Sequence, residues 1–217
     1  PPRFTCPCGF QLTEDTFWQH IHSCPTLYRN AKFGFSRRHN KFRDAFIKLL
    51  LLLGGYASEE PRVDPLRPLE GPDIYALLGG QAFMLDINIT HTYSPTYVAN
   101  GSAFKPSSLL GKISKDKHVH YDAQAASVGA KLVTFCLNTH GGMHQEAVKF
   151  CKNLALHATE SDPARWTYTE ALRFIITTVT NEFHTANGLF IESCMEQLHV
   201  RSRQLLVNNH AVIAPPI

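Results

Sequence analysis

The stretch GPDIYALLGGQAFMLDINIT, residues 71–90, constrains the fold more than any other part of this chain. Two largely apolar runs, 73–78 and 81–90, flank the pair Gly79-Gly80. A glycine pair between such runs predicts a two-residue hairpin, because those turns need positive φ angles that glycine adopts without steric cost. The short loop then fixes the register by arithmetic. Leu78 faces Gln81, Leu77 faces Ala82, and every further pair of position numbers sums to 159, so Asp73 faces Asp86. Their Cβ atoms are expected about 4.5–5.5 Å apart. Along the second strand Phe83, Leu85, Ile87 and Ile89 share one face, while Met84, Asp86, Asn88 and Thr90 share the other.

Two like charges held opposite each other cost stability unless a shared proton or a cation compensates. Paired carboxylates suit Mg²⁺ or Mn²⁺, hard ions that keep some water ligands and can bind a phosphate at the same time. The competing reading leaves one or both aspartates at solvated strand ends, and Pro72 before Asp73 is compatible with that.

The rest of the chain frames this hairpin. At 217 residues and 44% hydrophobic content it supports one sizeable core with a small appendage. A net charge of +3 permits a polyanionic partner without requiring one. No apolar run approaches the ~18 residues of a membrane span, and the opening PPRFTCPCGF lacks the apolar core of a signal peptide. The ends PPRF and APPI read as cuts through a longer polypeptide. Cys6, Cys8 and Cys24 cluster at the front, whereas Cys136, Cys151 and Cys194 lie singly in apolar surroundings. That distribution points to buried thiols plus one metal site rather than to a disulfide framework.

In the front segment CPCGFQLTEDTFWQHIHSC, Cys6, Cys8, His20 and Cys24 form a donor set suited to tetrahedral Zn²⁺. The gap from His20 to Cys24 is one helical turn, His22 is the rival ligand, and the tight Cys6-x-Cys8 spacing demands an unusual turn. With no sustained apolar period, this segment is expected to rely on metal as its staple. The basic stretch NAKFGFSRRHNK leads into a helix with Ser36 as N-cap, apolar positions Phe42, Ala45, Phe46, Leu49, Leu50 and Leu53, and a Gly54-Gly55 stop. YASEEPRV predicts a short strand, 108–128 a helix of small and polar residues, and KLVTFCLNT a buried strand. Helices follow from MHQEAVKFCKNLALHA, from about Thr167 to Thr185, and from about Leu189 to Val207. The order α-β-β-β-α-β-α-α-α predicts a mixed α/β fold, divided into a zinc knuckle (1–32), a core (33–160) and a C-terminal helical extension (161–217).

A phosphodiesterase built on the two aspartates also needs a cation near the attacking water. KISKDKHVHYDAQ puts Lys117 and Tyr121 four apart, hence on one helix face, with Lys115 as the second candidate. A third acid is sought at Glu59 or Glu60 on the neighbouring strand. His91, Tyr93 and Tyr97 fit either a DNA groove or ordinary packing, and the Gly141-Gly142 pair is read as a turn with no role for His140 or His144.

Pro72-Asp73, twelve intervening residues and Asp86 in an apolar strand resemble the PD-(D/E)XK nuclease signature. Together with the Cys-Cys-His-Cys knuckle, the RRHNKF helix start and Lys117-x-x-x-Tyr121, residues 6–155 resemble the restriction-like endonuclease of site-specific non-LTR retrotransposons. The chain departs from the general nuclease pattern at Asn88, where many relatives carry the lysine. The resemblance implies a PD-(D/E)XK mixed sheet flanked by helices. It implies Asp73, Asp86 and the Ile87 carbonyl as Mg²⁺ or Mn²⁺ ligands, Lys117 and Tyr121 as catalytic groups, and Arg38 and His39 on the DNA backbone. It further implies a nuclear enzyme that nicks double-stranded DNA so that the freed 3′ hydroxyl primes reverse transcription. Its partners are then the reverse transcriptase and other domains of the same polyprotein, and the element RNA. Two rivals stand beside it: a DNA-binding module on the same fold that does not cut, and a structure-selective resolvase-like nuclease.

Overall fold

The computed structural model describes residues 4–24, 26–27, 35–59, 71–99 and 105–211. The chain divides into two compact units, Pro1–Arg38 with Asn187–Ile217, and His39–Ala186. The expected segment boundary at 32, residues 30–34 at the start of the basic stretch, Glu60 and the strand expectation for 60–63 lie outside the described residues.

The larger unit is a mixed α/β layer structure. Its sheet has the order β3(Tyr56–Glu59), β4(Ile74–Leu78), β5(Gln81–Thr90), β6(Lys131–Asn138). β3, β4 and β5 are antiparallel, and β6 lies parallel to β5. Gly79 and Gly80 both take positive φ, +55° and +80°, and close the hairpin in the register that the sequence dictates, Leu78↔Gln81 through Ile74↔Leu85. A parallel pair needs a crossover, supplied by the short α3(Pro95–Ala99) and the long α4(Pro106–Ser127).

Both faces of the sheet are covered, each from one parity of β5. Leu85 and Ile87, with Val133, Phe135 and Leu137 of β6, pack against Phe42, Phe46 and Leu50 of α2(Phe35–Leu52). The same core takes in Phe150 and Leu154 of α5(Gln145–Ser161), and Ile175, Val179 and Phe183 of α6(Tyr168–Ala211). The even positions meet α4, where Met84 packs with Leu132, Ala125 and Ala130. Asp86 therefore enters a helix-covered face, which is why it is 3% exposed. α2 already includes Ser36, one residue earlier than the expected cap, and ends before Gly54 at φ +82°.

The smaller unit begins with the hairpin β1(Phe4–Thr5) and β2(Gln11–Leu12), followed by α1(Glu14–Ile21). α1 starts in a capping box between Thr13 and Thr16, with Glu14 and Asp15 in the first turn where the helix dipole favours anions. Leu12, Ile21 and Leu27 bury against Phe190, Cys194 and Leu198 of α6. The front segment thus has an apolar anchor that its own periodicity does not reveal.

The sequence reading splits 167–207 into two helices, but α6 is continuous from Tyr168 to Ala211. Gly188 costs only about 1 kcal/mol relative to Ala inside a helix. The Asn187 side chain is 6% exposed and accepts a hydrogen bond from Arg38, which removes its usual preference for a turn.

Candidate functional site

Two polar sites emerge, one in each unit. In the smaller unit the β1–β2 turn explains the tight Cys-x-Cys spacing. The Cys6 N–H donates to the Phe10 carbonyl and the Gly9 N–H to that of Cys6, both at 2.8 Å, with Gly9 at φ +90°. α1 then presents His20, and the chain leaving it returns Cys24. The donor atoms of Cys6, Cys8, His20 and Cys24 all lie within 4.8 Å of one another. Cys6 Sγ is 3.5 Å from Cys24 Sγ, and Cys8 Sγ is 3.4 Å from His20 Nε2. A tetrahedron with bonds of about 2.0–2.3 Å places its donors roughly 3.5–3.8 Å apart, so this group could hold a metal such as zinc. Burial keeps the His20 imidazole below its ordinary pKa, hence neutral and able to ligate, and Phe10 stacks on it at 4.5 Å. All six cysteines are free thiols, and Cys136, Cys151 and Cys194 are fully buried.

His22, the rival ligand, is otherwise engaged: its Nδ1 is 3.4 Å from Arg38 Nη1 and its ring lies 5.5 Å from that of Phe190. Arg38 itself is 3% exposed, donates to Asn187 Oδ1 at 3.3 Å and lies 5.1 Å from the Phe190 ring centroid. Burial pushes its pKa down to about 10. The phosphate contact expected of Arg38 is at odds with this placement: the guanidinium is packed inside the unit rather than offered to a ligand.

In the larger unit the hairpin pairing runs as far as Ile74↔Leu85; Asp73 lies one residue before β4, outside the strand expected over 73–78, and Asp86 is the next residue along β5. Asp86 Oδ1 accepts from Lys117 Nζ at 2.9 Å, and Asp86 Oδ2 is buried with no hydrogen-bond partner among the described residues. Asp73 Oδ2 accepts from the Ile87 N–H at 2.6 Å and lies 3.3 Å from His39 Nε2. His39 Nε2 also donates to the Ile87 carbonyl at 3.0 Å. His39, its side chain 26% exposed, therefore sits beside the expected metal ligands. Lys117 is the lysine that meets the carboxylate, while Lys112 and Lys115 are exposed on α4. Tyr121, one turn on, places its ring centroid 5.2 Å from Lys117 Nζ.

The electrostatics follow from this geometry. Burial, with a smaller push from the Asp73 charge, holds the Asp86 carboxyl above its ordinary pKa despite the opposing pull of Lys117. Burial works against the Lys117 ammonium, yet Asp86 outweighs it and keeps the lysine charged. For His39 too, burial is overcome by the hydrogen bond and charge of Asp73, and the imidazole is held above its usual value.

The third-acid candidate Glu59 is bound elsewhere, its Oε2 at 2.6 Å from Arg43 Nη2. His91 is buried with its Nδ1 at 2.8 Å from Thr139 Oγ1, and Tyr93 lies edge-on to His140 at 5.1 Å. The Gly141-Gly142 pair is a turn, with Asn138 Oδ1 accepting from the N–H groups of His140 and Gly142 at 2.9 Å each. Sequence reasoning missed Glu146. Its carboxylate accepts from Thr134 Oγ1 and from Ser114 Oγ at 3.1 Å, and its Oε2 is 3.0 Å from His118 Nε2. Only its position in the first turn of a helix hinted at a role. In comparisons with known proteins, no family model matches this chain and no curated protein is similar to it.

Proposed function

We propose that this chain is a metal-dependent DNA endonuclease with a PD-(D/E)XK-type core, the nicking domain of a non-LTR retrotransposon polyprotein. The observation that carries the reading is the Asp86 carboxylate: one oxygen is bound by Lys117 and the other is buried with no partner among the described residues. A buried anionic oxygen without a donor costs several kcal/mol, and such arrangements are kept where a function needs them. Asp73 across the hairpin supplies a second carboxylate, and the Ile87 carbonyl, which has two lone pairs, supplies a neutral oxygen beside it. These oxygens fit Mg²⁺ or Mn²⁺.

A divalent ion at such oxygens supplies Lewis-acid polarisation of a phosphate and a more acidic bound water. The chain's own contribution is positional. Asp86 and Asp73 hold the negative charge that selects a cation. Lys117 presents an ammonium at the carboxylate, where it can orient the attacking water or neutralise charge developing on the phosphate. The Tyr121 ring stands beside that ammonium and limits where it points. His39 fastens the Asp73 side to the Ile87 carbonyl. In the smaller unit we assign Zn²⁺ to Cys6, Cys8, His20 and Cys24. The partners of this reading are double-stranded DNA in the nucleus, the reverse transcriptase of the same polyprotein and the element RNA.

Supercoiled plasmid tests it. With Mg²⁺ or Mn²⁺ the chain is expected to convert plasmid to the nicked circle, and Asp86→Ala and Lys117→Ala to lose that conversion. If the wild type leaves plasmid intact but retards it in a gel, the fold is a DNA-binding module. Faster cutting of four-way junctions than of linear duplex moves the assignment to a resolvase-like enzyme.

A further inference from the structure

We propose that Glu146 is a positioning residue of this site, bolting α4 to β6 so that Lys117 stays on Asp86; the inference rests on the nuclease reading above. Ser114, Lys117, His118, Tyr121 and Asp122 form one stripe of α4 at helical spacing. Between Leu110 and Ala125 the one buried residue of α4 is Ser114, and Tyr121 packs part-buried against the Met84 cluster. A polar contact adds to that packing on the side of Ser114 and His118. Glu146, in the first turn of α5, receives the hydroxyls of Ser114 from α4 and Thr134 from β6, and its carboxylate also meets His118 of α4.

The three elements joined by this carboxylate are the ones that matter for the lysine. Thr134 stands directly opposite Asp86 in the parallel β5–β6 register. Ser114 precedes Lys117 by three residues and His118 follows it. Ser114 Oγ also lies 2.6 Å from Thr134 Oγ1, so the two hydroxyls share their two protons between each other and the Glu146 carboxylate, and both are buried. His118 is held from its other side by Asp122, with Nδ1 to Oδ1 at 2.8 Å, so the imidazole is a strut between two carboxylates. Burial opposes the Glu146 charge, yet the bonds from Thr134 and His118 keep its carboxyl below the ordinary range, as an anchoring acceptor must be. The contacts of this group run to α4 and β6, so its influence on the site passes through the placement of Lys117.

The test reads Lys117 directly. In ¹⁵N-labelled, zinc-loaded protein without Mg²⁺ or Mn²⁺, the Lys117 ammonium resonance, assigned by its disappearance in Lys117→Arg, reports the pair with Asp86. Glu146→Gln, Glu146→Ala and His118→Asn are each expected to shift that resonance toward an exposed lysine. Nicking is expected to slow about 10- to 100-fold, the scale on which outer partners tune a site, with the half-saturating DNA concentration unchanged. A Lys117 resonance unmoved in all three variants overturns the proposal. If Glu146→Ala does not fold, Glu146→Gln and His118→Asn decide the question. A wild type that nicks nothing sinks the nuclease reading instead, while the resonance still settles whether Glu146 places Lys117.

Discussion

Asp86→Asn is expected to stabilise the zinc-loaded chain in the absence of Mg²⁺ and Mn²⁺ while abolishing its response to either ion. The Asp86 side chain is 4% exposed, and burial raises its pKa above the ordinary 3.8 even after the opposing pull of Lys117. A carboxyl raised in the fold binds its proton more tightly there than in the unfolded chain. It therefore subtracts stability once the pH exceeds its unfolded value, by about 1.4 kcal/mol for every tenfold gain in proton affinity. Asparagine keeps the shape of the protonated acid and removes the charge. Lys117, 31% exposed, can turn toward water when its partner is neutral. The direction is a gain, on the order of 1 kcal/mol, the size of a single stabilising substitution. For a chain of this size that corresponds to a melting temperature higher by roughly 2–4 °C.

The sign can be checked with pH. The wild type loses this increment as pH rises from the unfolded carboxyl value through the raised folded one. The gap between the two proteins is thus widest at neutral pH and closes in acid, where Asp86 is as neutral as asparagine. Adding Mn²⁺ to zinc-loaded protein, at about a hundred times its dissociation constant, should stabilise the wild type by about 2.7 kcal/mol. Asp86→Asn should not respond. Calorimetry at several pH values, with and without Mn²⁺, measures both effects. Asp86→Asn melting below the wild type at neutral pH, or an equal Mn²⁺ shift in both proteins, would refute the reasoning.

Removing metal with a strong zinc chelator should open residues 4–24 to protease while the sheet core around Phe135 stays protected; an unchanged cleavage pattern would remove zinc from the account. Gly55→Ala should destabilise the larger unit by about 1–3 kcal/mol, measured by urea unfolding. Its Cβ would lie 2.4 Å from Leu78 Cδ2 and only 3.2–3.3 Å from the carbonyl oxygens of Leu50 and Leu77, and backbone oxygens cannot move aside as a side-chain tip can. A neutral effect there would mean that the end of α2 and β4 are less closely apposed.

The hairpin register, the parity of β5 and the core stripe of α2 were legible from the residues, because each follows from neighbours a few positions apart. The positive φ of Gly79 and Gly80 and the two-residue side-chain period leave one arrangement of 74–78 against 81–85. The four soft donors of the front segment were legible for the same reason: a short turn and one short helix bring them together. Tertiary packing decided the rest. Lys117 rather than Lys115 meets Asp86 because of how α4 lies on the sheet, which a lone helix does not reveal. Arg38 became a buried packing group through Asn187 and Phe190, far along the chain, and Asn187 in turn stayed helical instead of ending α6. The Glu146 contacts join residues from two helices and a strand, and no spacing in the chain encodes them. Local geometry selects turns, faces and caps, whereas the choice among several lysines, arginines and acids is made only when distant surfaces are buried against each other and each charge must find a partner.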